Sequence, residues 1–228
     1  MFQMSTLPAT VPSERATVHR YAHRAAYDRA TIDAILDEGM VCHLGLQTDQ
    51  GFPVVIPLAY GRSGDRLYLH GSAASRLFRG ARADGVEVCM TVTLVDGLVV
   101  ARSTYNTDLN YRSVVLIGRA CEVKDLDEKR AGLELLVEHI IPGRTADARP
   151  PTDKELRSTM LLTLPIVDAT AKVRTGWPHD DEEDLSLGIW AGVVPMRTLY
   201  EGPRPDPGLR PGLSVPAYTA DYRRPVDG

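Results

Sequence analysis

Residues 41–70 read VCHLGLQTDQGFPVVIPLAYGRSGDRLYLH. Three short runs rich in β-branched, aromatic and other apolar residues lie here, at 41–47, 52–60 and 66–70, separated by TDQG and GRSGD. Such runs, bounded by Gly, Asp and Ser clusters, spell an antiparallel meander. Pro53 and Pro57 cannot donate to a ladder, which places the second strand at an edge or where pairing is interrupted. Further strands are expected at 86–95 and 98–103, joined by the hairpin signal Asp96-Gly97, and at 111–124, 161–174 and 189–194. Helices are few. Residues 28–38 carry Ile32, Ile35 and Leu36 on one face before Gly39, residues 72–83 follow directly on the third strand, and 155–160 allow a turn or two. Residues 127–141 are amphipathic, with Leu133, Leu136, Val137 and Ile140 at helical spacing before Pro142-Gly143. The fold class is mainly β with a few helices, a closed or split barrel rather than a doubly wound sheet.

Outside this block the composition changes. Residues 1–26 read as an extended arm, 27–197 as the folded domain and 198–228 as a Pro- and Gly-rich tail. The net charge of −4 over 228 residues gives no broad basic surface for nucleic acid or an anionic membrane. No apolar run is long enough to span a bilayer, and the first residues lack the pattern of a secretory leader. Cys42, Cys89 and Cys121 are odd in number, far apart and without CxxC spacing, so they are expected to be buried, reduced thiols of a cytoplasmic protein.

Three segments carry candidate chemistry. In the first, His70-Gly71-Ser72-Ala73-Ala74-Ser75-Arg76, a strand runs through small residues into a helix. Backbone N–H groups there, with the Ser72 and Ser75 hydroxyls and the Arg76 guanidinium, can cradle a phosphate. A plain Ser72 helix cap beside a solvated Arg76 fits the same residues. In the second, Arg102 and Arg112 flank a shared connection, with Tyr111 and Ser113 beside Arg112; the arginines suit a phosphate or an anionic flavin, or simply bridge to acidic side chains. In the third, Lys172 and Arg174 share one strand face around Val173, where an anion or open solvent would relieve their repulsion. His19 and His23 lack carboxylate partners for a metal, and the acidic run 180–184 after His179 reads as a solvated loop, so no metal site is expected. His43 reads as an interior or interface histidine. No catalytic triad pattern is present, and no catalytic acid or base is assigned.

In order, the strings ILDEG, CHLGL, PLAY, LYLHGSAASRL, TVTLVDGLVVARS, NYRSVVLIGRA, AKVRTG and WAGVVP resemble the pyridoxamine 5′-phosphate oxidase-like flavin-binding family, in particular its nitroimidazole-resistance branch. The resemblance spans roughly residues 29–195. It implies a split β-barrel, a homodimer and FMN in clefts lined by both subunits. Carried over by position, His70, Gly71, Ser72, Ser75 and Arg76 face the FMN phosphate, and Val55, Ile56 and Pro57 lie along the isoalloxazine edge. Arg112, Ser113 and Trp190 match positions that reach the flavin, and the segments read above add Arg102, Tyr111, Lys172 and Arg174 as candidates beside it. Two features of the vitamin B6 oxidases are missing. The second strand has no Arg and Lys, and the tail has no Arg-x-His, so vitamin oxidation is not expected.

The resulting expectation is an FMN-dependent oxidoreductase acting on a small molecule. The alternative is a flavin- or haem-binding carrier or sensor without turnover, in which His70 or His43 would ligate iron; a deazaflavin in the same cleft is a third reading.

Overall fold

The fold is that of a computed structural model, which describes residues 13–72, 78, 81 and 84–224. Helix α1, Arg29–Glu38, starts where the Asp28 side chain accepts from the Thr31 N–H at 2.8 Å, and it buries Ile32, Ile35 and Leu36 as its spacing demands. Strands β2, Val41–Gln47, and β3, Pro53–Ser63, pair antiparallel from Val41↔Ala59 to Gln47↔Pro53. Alternation buries Cys42, Leu44 and Leu46 along β2. Strand β4, Arg66–Ser72, pairs with β3 from Ser63↔Arg66 to Tyr60↔Leu69. Residues 53–59 of β3 thus pair with β2 and residues 60–63 with β4, so Pro57 needs no donor on a second edge.

Strands β5, Val86–Val100, and β6, Asp108–Glu122, are the longest. Helix α2 spans Leu126–Ile140 and α3 spans Asp153–Ser158, which a capping box between Thr152 and Glu155 opens. Strands β7, Thr159–Pro165, and β8, Asp168–Arg174, follow, then β9, Gly192–Pro195, and a short α4, Ala217–Ala220. A two-residue strand β1, Ala25–Ala26, pairs antiparallel with β8. The hydrogen-bonded order is β1-β8-β6-β7-β4-β3-β2-β5-β9, and β6 also pairs with β5, so the strands form a ring of split-barrel type. Among the described residues no helix is long and apolar enough to cross a membrane.

The chain divides into two compact units, each built from separate stretches of sequence. The first comprises residues 1–39, 91–116 and 168–198; the second comprises 40–90, 117–167 and 199–228. In the first unit the arm lies on β8. The Asp168 carboxylate accepts from the Ser13 N–H at 3.1 Å and from Arg15 Nε at 2.9 Å, and the Thr170 hydroxyl donates to the Ala16 carbonyl. In the second unit α2 packs on β3, β4 and β7, with Val123, Leu136 and Leu161 as a buried cluster flanked by Tyr68 and Leu133.

Three expectations are corrected. Asp96-Gly97 is not a hairpin turn: both residues lie inside the unbroken β5. Gly97 pairs with Pro195, and a Cβ there would stand 3.0 Å from the Val194 carbonyl oxygen, so the glycine serves close strand approach. The single strand expected over 161–174 is two. It breaks at Ile166-Val167, where the Ile166 N–H turns to donate to the Asp65 carbonyl at 2.8 Å. Ser72 closes β4 opposite Thr159. Most of the helix expected over 72–83 lies outside the described residues. All three cysteines are free, but only Cys42 is buried, its thiol pushed up to about 12 by desolvation. Cys89 is exposed because Val88 and Met90, its neighbours on β5, take the inward positions.

Candidate functional site

In the second unit, β4 carries the histidine and α2 the wall of a cavity. His70 pairs with Leu161 across the β4–β7 ladder and projects outward. It lines a cavity of about 530 Å³ together with Leu133, Leu136, Val137, Ile140 and the loop that follows α2. The loop contributes Thr145 and the Arg149-Pro150-Pro151 run. The lining is apolar apart from His70, Thr145 and a few groups at the rim. Two of those, Arg149 and Glu155, form an ion pair at 2.8 and 3.0 Å. The Arg149 guanidinium and the hydrogen bonds from Thr152 hold the Glu155 carboxyl down at about 2. Glu138 orders the loop by accepting from the Gly143 N–H at 2.6 Å and the Thr145 N–H at 2.7 Å.

Gly71 follows His70, and a Cβ there would fall 2.4 Å from the buried Phe78 ring. The glycine lets that ring lie against the end of β4. Ser72 pairs with Thr159, whereas Ser75 and Arg76 lie outside the described residues. Val55, Ile56 and Pro57 sit on β3 opposite Gly45, Leu44 and His43, with Val55 64% exposed. His43 is exposed on β2, because Cys42 and Leu44 take the inward positions, which removes the interior half of the interior-or-interface reading. It is not among the cavity's lining residues.

In the first unit the expected arginines are held by the protein's own side chains. Arg112 forks between Glu38 (2.5 and 2.9 Å) and Asp96 (2.8 and 3.0 Å), which raises its pKa further. The Arg102 backbone N–H and Nη1 both donate to Asp180 at 2.7 Å. Burial alone would push the Asp180 carboxyl up; the bonds from Arg102 outweigh it and hold it low. Arg174 is only 5% exposed. Its Nη1 donates to Asn110 Oδ1 at 2.5 Å, and its Nε forms an ion pair with Asp108 at 2.9 Å without good hydrogen-bond alignment. The Ser113 hydroxyl donates to the Lys172 carbonyl at 3.4 Å. Tyr111 is half-buried on β6. Trp190 is exposed just before β9, its ring over Gly192.

Two things escaped the sequence reading. Leu133, Val137 and Ile140 read only as the apolar face of a helix, yet they line the cavity, and Val137 is exposed. The signal was the breadth of the apolar stripe, wider than Gly132 and Leu136 need to seat the helix. The arm residues Arg20, Tyr21, His23 and Arg24 line a second, polar cavity of about 750 Å³ with Arg174 and Tyr105. Their signal was the basic run HRYAHR at 19–24. Among the described residues no group of three His, Cys, Asp or Glu side chains could hold a metal ion.

The sequence model of the family named pyridoxamine 5′-phosphate oxidase matches residues 28–173, more than half of the chain. The chain belongs to this family. The flavocytochrome Anf3 from Azotobacter vinelandii is similar at 42% identity, with 95% of this chain and 100% of that chain covered and a TM-score of 0.88. The FAD and haem binding protein from Mycobacterium smegmatis is similar at 38% identity, covering 86% of this chain and 95% of that one, with a TM-score of 0.80. A 5-nitroimidazole antibiotic resistance protein from Bacteroides thetaiotaomicron, at 24% identity, coverage of 65% and 86% and a TM-score of 0.55, shares the oxidase-family fold. No curated protein matches.

Proposed function

We propose that this member of the oxidase family is a flavocytochrome: a redox protein that binds a flavin and a haem and exchanges electrons with a small molecule. The observation that carries the reading is His70, an imidazole set in the wall of a largely apolar cavity of about 530 Å³ with the Arg149 guanidinium at its rim. An apolar slot, an axial imidazole and a cation for carboxylate side groups are what a haem requires. His70 would ligate the iron, Leu133, Val137 and Ile140 would exclude water from the macrocycle, and Arg149 would turn from Glu155 to a propionate. Haem supplies one-electron and O₂ chemistry, and a flavin adds two-electron exchange. The two relatives above 35% identity, named as a flavocytochrome and as an FAD and haem binding protein, support the pairing. The second name favours FAD over the FMN expected from the family resemblance. The segment after β4 that carries Ser75 and Arg76 is the proposed flavin phosphate site, and a homodimer and a cytoplasmic location belong to the same proposal.

The test is spectroscopic. Purified protein should show a Soret band and a flavin absorbance, and acid release should yield both cofactors by mass. His70→Ala should lose or strongly shift the Soret band while keeping its flavin. A Soret band identical in wild type and His70→Ala would remove His70 as ligand and the cavity as the haem site.

A further inference from the structure

The basic cavity of the first unit is unexplained by the haem reading and is built entirely from described residues of the arm, the β5–β6 connection and β8 with the loop beyond it. Three arginines line it: Arg20 and Arg24 from the arm and Arg174 from β8. Lys172 is beside them, its Nζ 5.8 Å from the centre of the Tyr21 ring. Against these four cations the lining holds one carboxylate, Asp108, already shared by Arg24 at 3.6 Å and Arg174 at 2.9 Å. The side chains of Arg20 and Lys172 have no carboxylate partner among the described residues. Arg20 lies over the Tyr21 ring at 5.2 Å, and Lys172 reaches only the Arg20 carbonyl, at 3.4 Å. Like charges gathered in one concavity repel unless an anion enters it.

The backbone points the same way. Tyr21 is the sole non-glycine at positive φ among the described residues, with φ 56° and ψ 48°. A tyrosine in the left-handed region is strained, and such strain gathers at ligand sites. Here Arg20 and Arg24, on either side of Tyr21 in sequence, both lie against its ring, at 5.2 and 4.5 Å. On the cavity's other side Tyr105 is 88% exposed, a flat apolar surface with nothing laid on it among the described residues. Asn106, Thr107 and Thr175 add neutral donors and acceptors. Clustered cations for charge, an aromatic face for a planar ring and small polar groups for hydroxyls describe one chemical class.

We propose that this cavity binds the diphosphate of an adenine nucleotide, with Arg20, Arg24 and Lys172 on the phosphates and Tyr105 on the base. Its volume of about 750 Å³ is in the range of small-ligand sites. The diphosphate has two possible sources with the same chemistry: a free nucleotide, with the flavin phosphate held at Ser75 and Arg76, or FAD, whose one diphosphate would then lie here instead of at Ser75 and Arg76; the second source rests on the flavin reading. The inference stands without the haem.

The probe is ADP, added to the full-length protein as purified and followed by calorimetry and by flavin fluorescence in the filtrate. AMP is the control for the second phosphate. ADP that binds while the flavin stays bound identifies a free nucleotide; ADP that releases FAD identifies the cofactor's own ADP half. In either case Arg20→Ala combined with Lys172→Ala should weaken ADP binding at least tenfold, or reduce the FAD retained on purification, with an unchanged thermal midpoint. AMP should bind more weakly than ADP. The proposal is overturned if ADP neither binds nor displaces flavin and the double variant retains wild-type FAD, or if ADP binds the double variant as tightly as wild type.

Discussion

At the scale of single residues, the charged groups that matter most are already engaged, and what they engage defines their task. Asp168 is the example. Burial alone would raise its pKa, but the Ser13 hydroxyl, Arg15 and the Ser13 N–H hold its carboxyl below the usual range. A group whose folded pKa is depressed adds stability above its unfolded value and loses it as pH falls through the folded one. The clamp on the arm should therefore weaken below roughly pH 4, where an unfolded Asp takes up its proton. Asp168→Asn keeps the volume and removes the charge. It should cost about 1.5–3 kcal/mol, the usual worth of hydrogen bonds to a charged group, and flatten the acid limb of stability against pH. Faster hydrogen exchange at the Ser13 amide and earlier proteolysis of the arm would accompany it. An unchanged acid limb in Asp168→Asn would show that the arm is held elsewhere. Arg112 makes the opposite point. The sequence showed a cation beside a strand end, but the Glu38 and Asp96 that claim it are 74 and 16 residues away in sequence, and nothing local announces them.

At the scale of elements, two glycines set how closely α2 lies on the sheet. A Cβ at Gly61 would stand 3.1 Å from the Leu136 Cα, 3.2 Å from the Leu136 nitrogen and 3.2 Å from the Leu135 carbonyl oxygen. All three are helix backbone, which cannot rotate away. At Gly132 a Cβ would fall 2.5 Å from Leu161 Cδ2 and 3.0 Å from the Tyr68 ring. Those are side-chain atoms, and alanine in a helix interior regains about 0.8–1 kcal/mol of propensity over glycine. Gly61→Val should therefore cost about 1–3 kcal/mol by overpacking, more than Gly132→Ala, in chemical denaturation of the two variants. A larger loss in Gly132→Ala would reverse the assignment. Much of this level was legible beforehand. The period-2 run of β2, the Asp28 cap of α1 and the apolar stripe of α2 are local signals, and each element formed within a residue or two of its expected bounds. What failed was punctuation decided by a neighbour. Asp96-Gly97 spells a turn, but pairing to Val194 and Pro195 keeps β5 straight. Residues 161–174 spell one strand, but the bond from Ile166 to Asp65 bends it.

At the scale of the whole molecule, the chain passes between its two units after residues 39, 90, 116, 167 and 198, so neither unit is a contiguous segment. That interleaving depends on pairings between distant strands, which composition and periodicity do not encode. For the same reason the α2 wall that faces His70 was not legible, whereas His70 itself was singled out as a candidate by the small residues that follow it. The tail shows the rule most directly. Its Pro, Gly and Arg content reads as a segment that wraps the surface or is partly mobile, and its last described residues are bonded into the second unit. The Tyr222 hydroxyl donates to the Ile140 carbonyl at 2.5 Å, and Arg224 donates to the His139 carbonyl. These are C-terminal carbonyls of α2, which have no partner within the helix. Tyr218 closes the same end: its hydroxyl donates to Asp147 at 2.7 Å, accepts from Arg144 at 2.9 Å, and its ring lies against Gly143. Removing residues 216–228 would strip these bonds at once. The truncated chain should lose about 2–4 kcal/mol, given about 1 kcal/mol for a neutral hydrogen bond and more for a charged one. The loss should be directional, because Ile140 and Thr145 both line the cavity that holds His70. Amide exchange should rise first across residues 137–145, and haem affinity should fall with it. Full stability and unchanged protection of that turn after truncation would mean that α2 closes its own end and that the tail only rests on it.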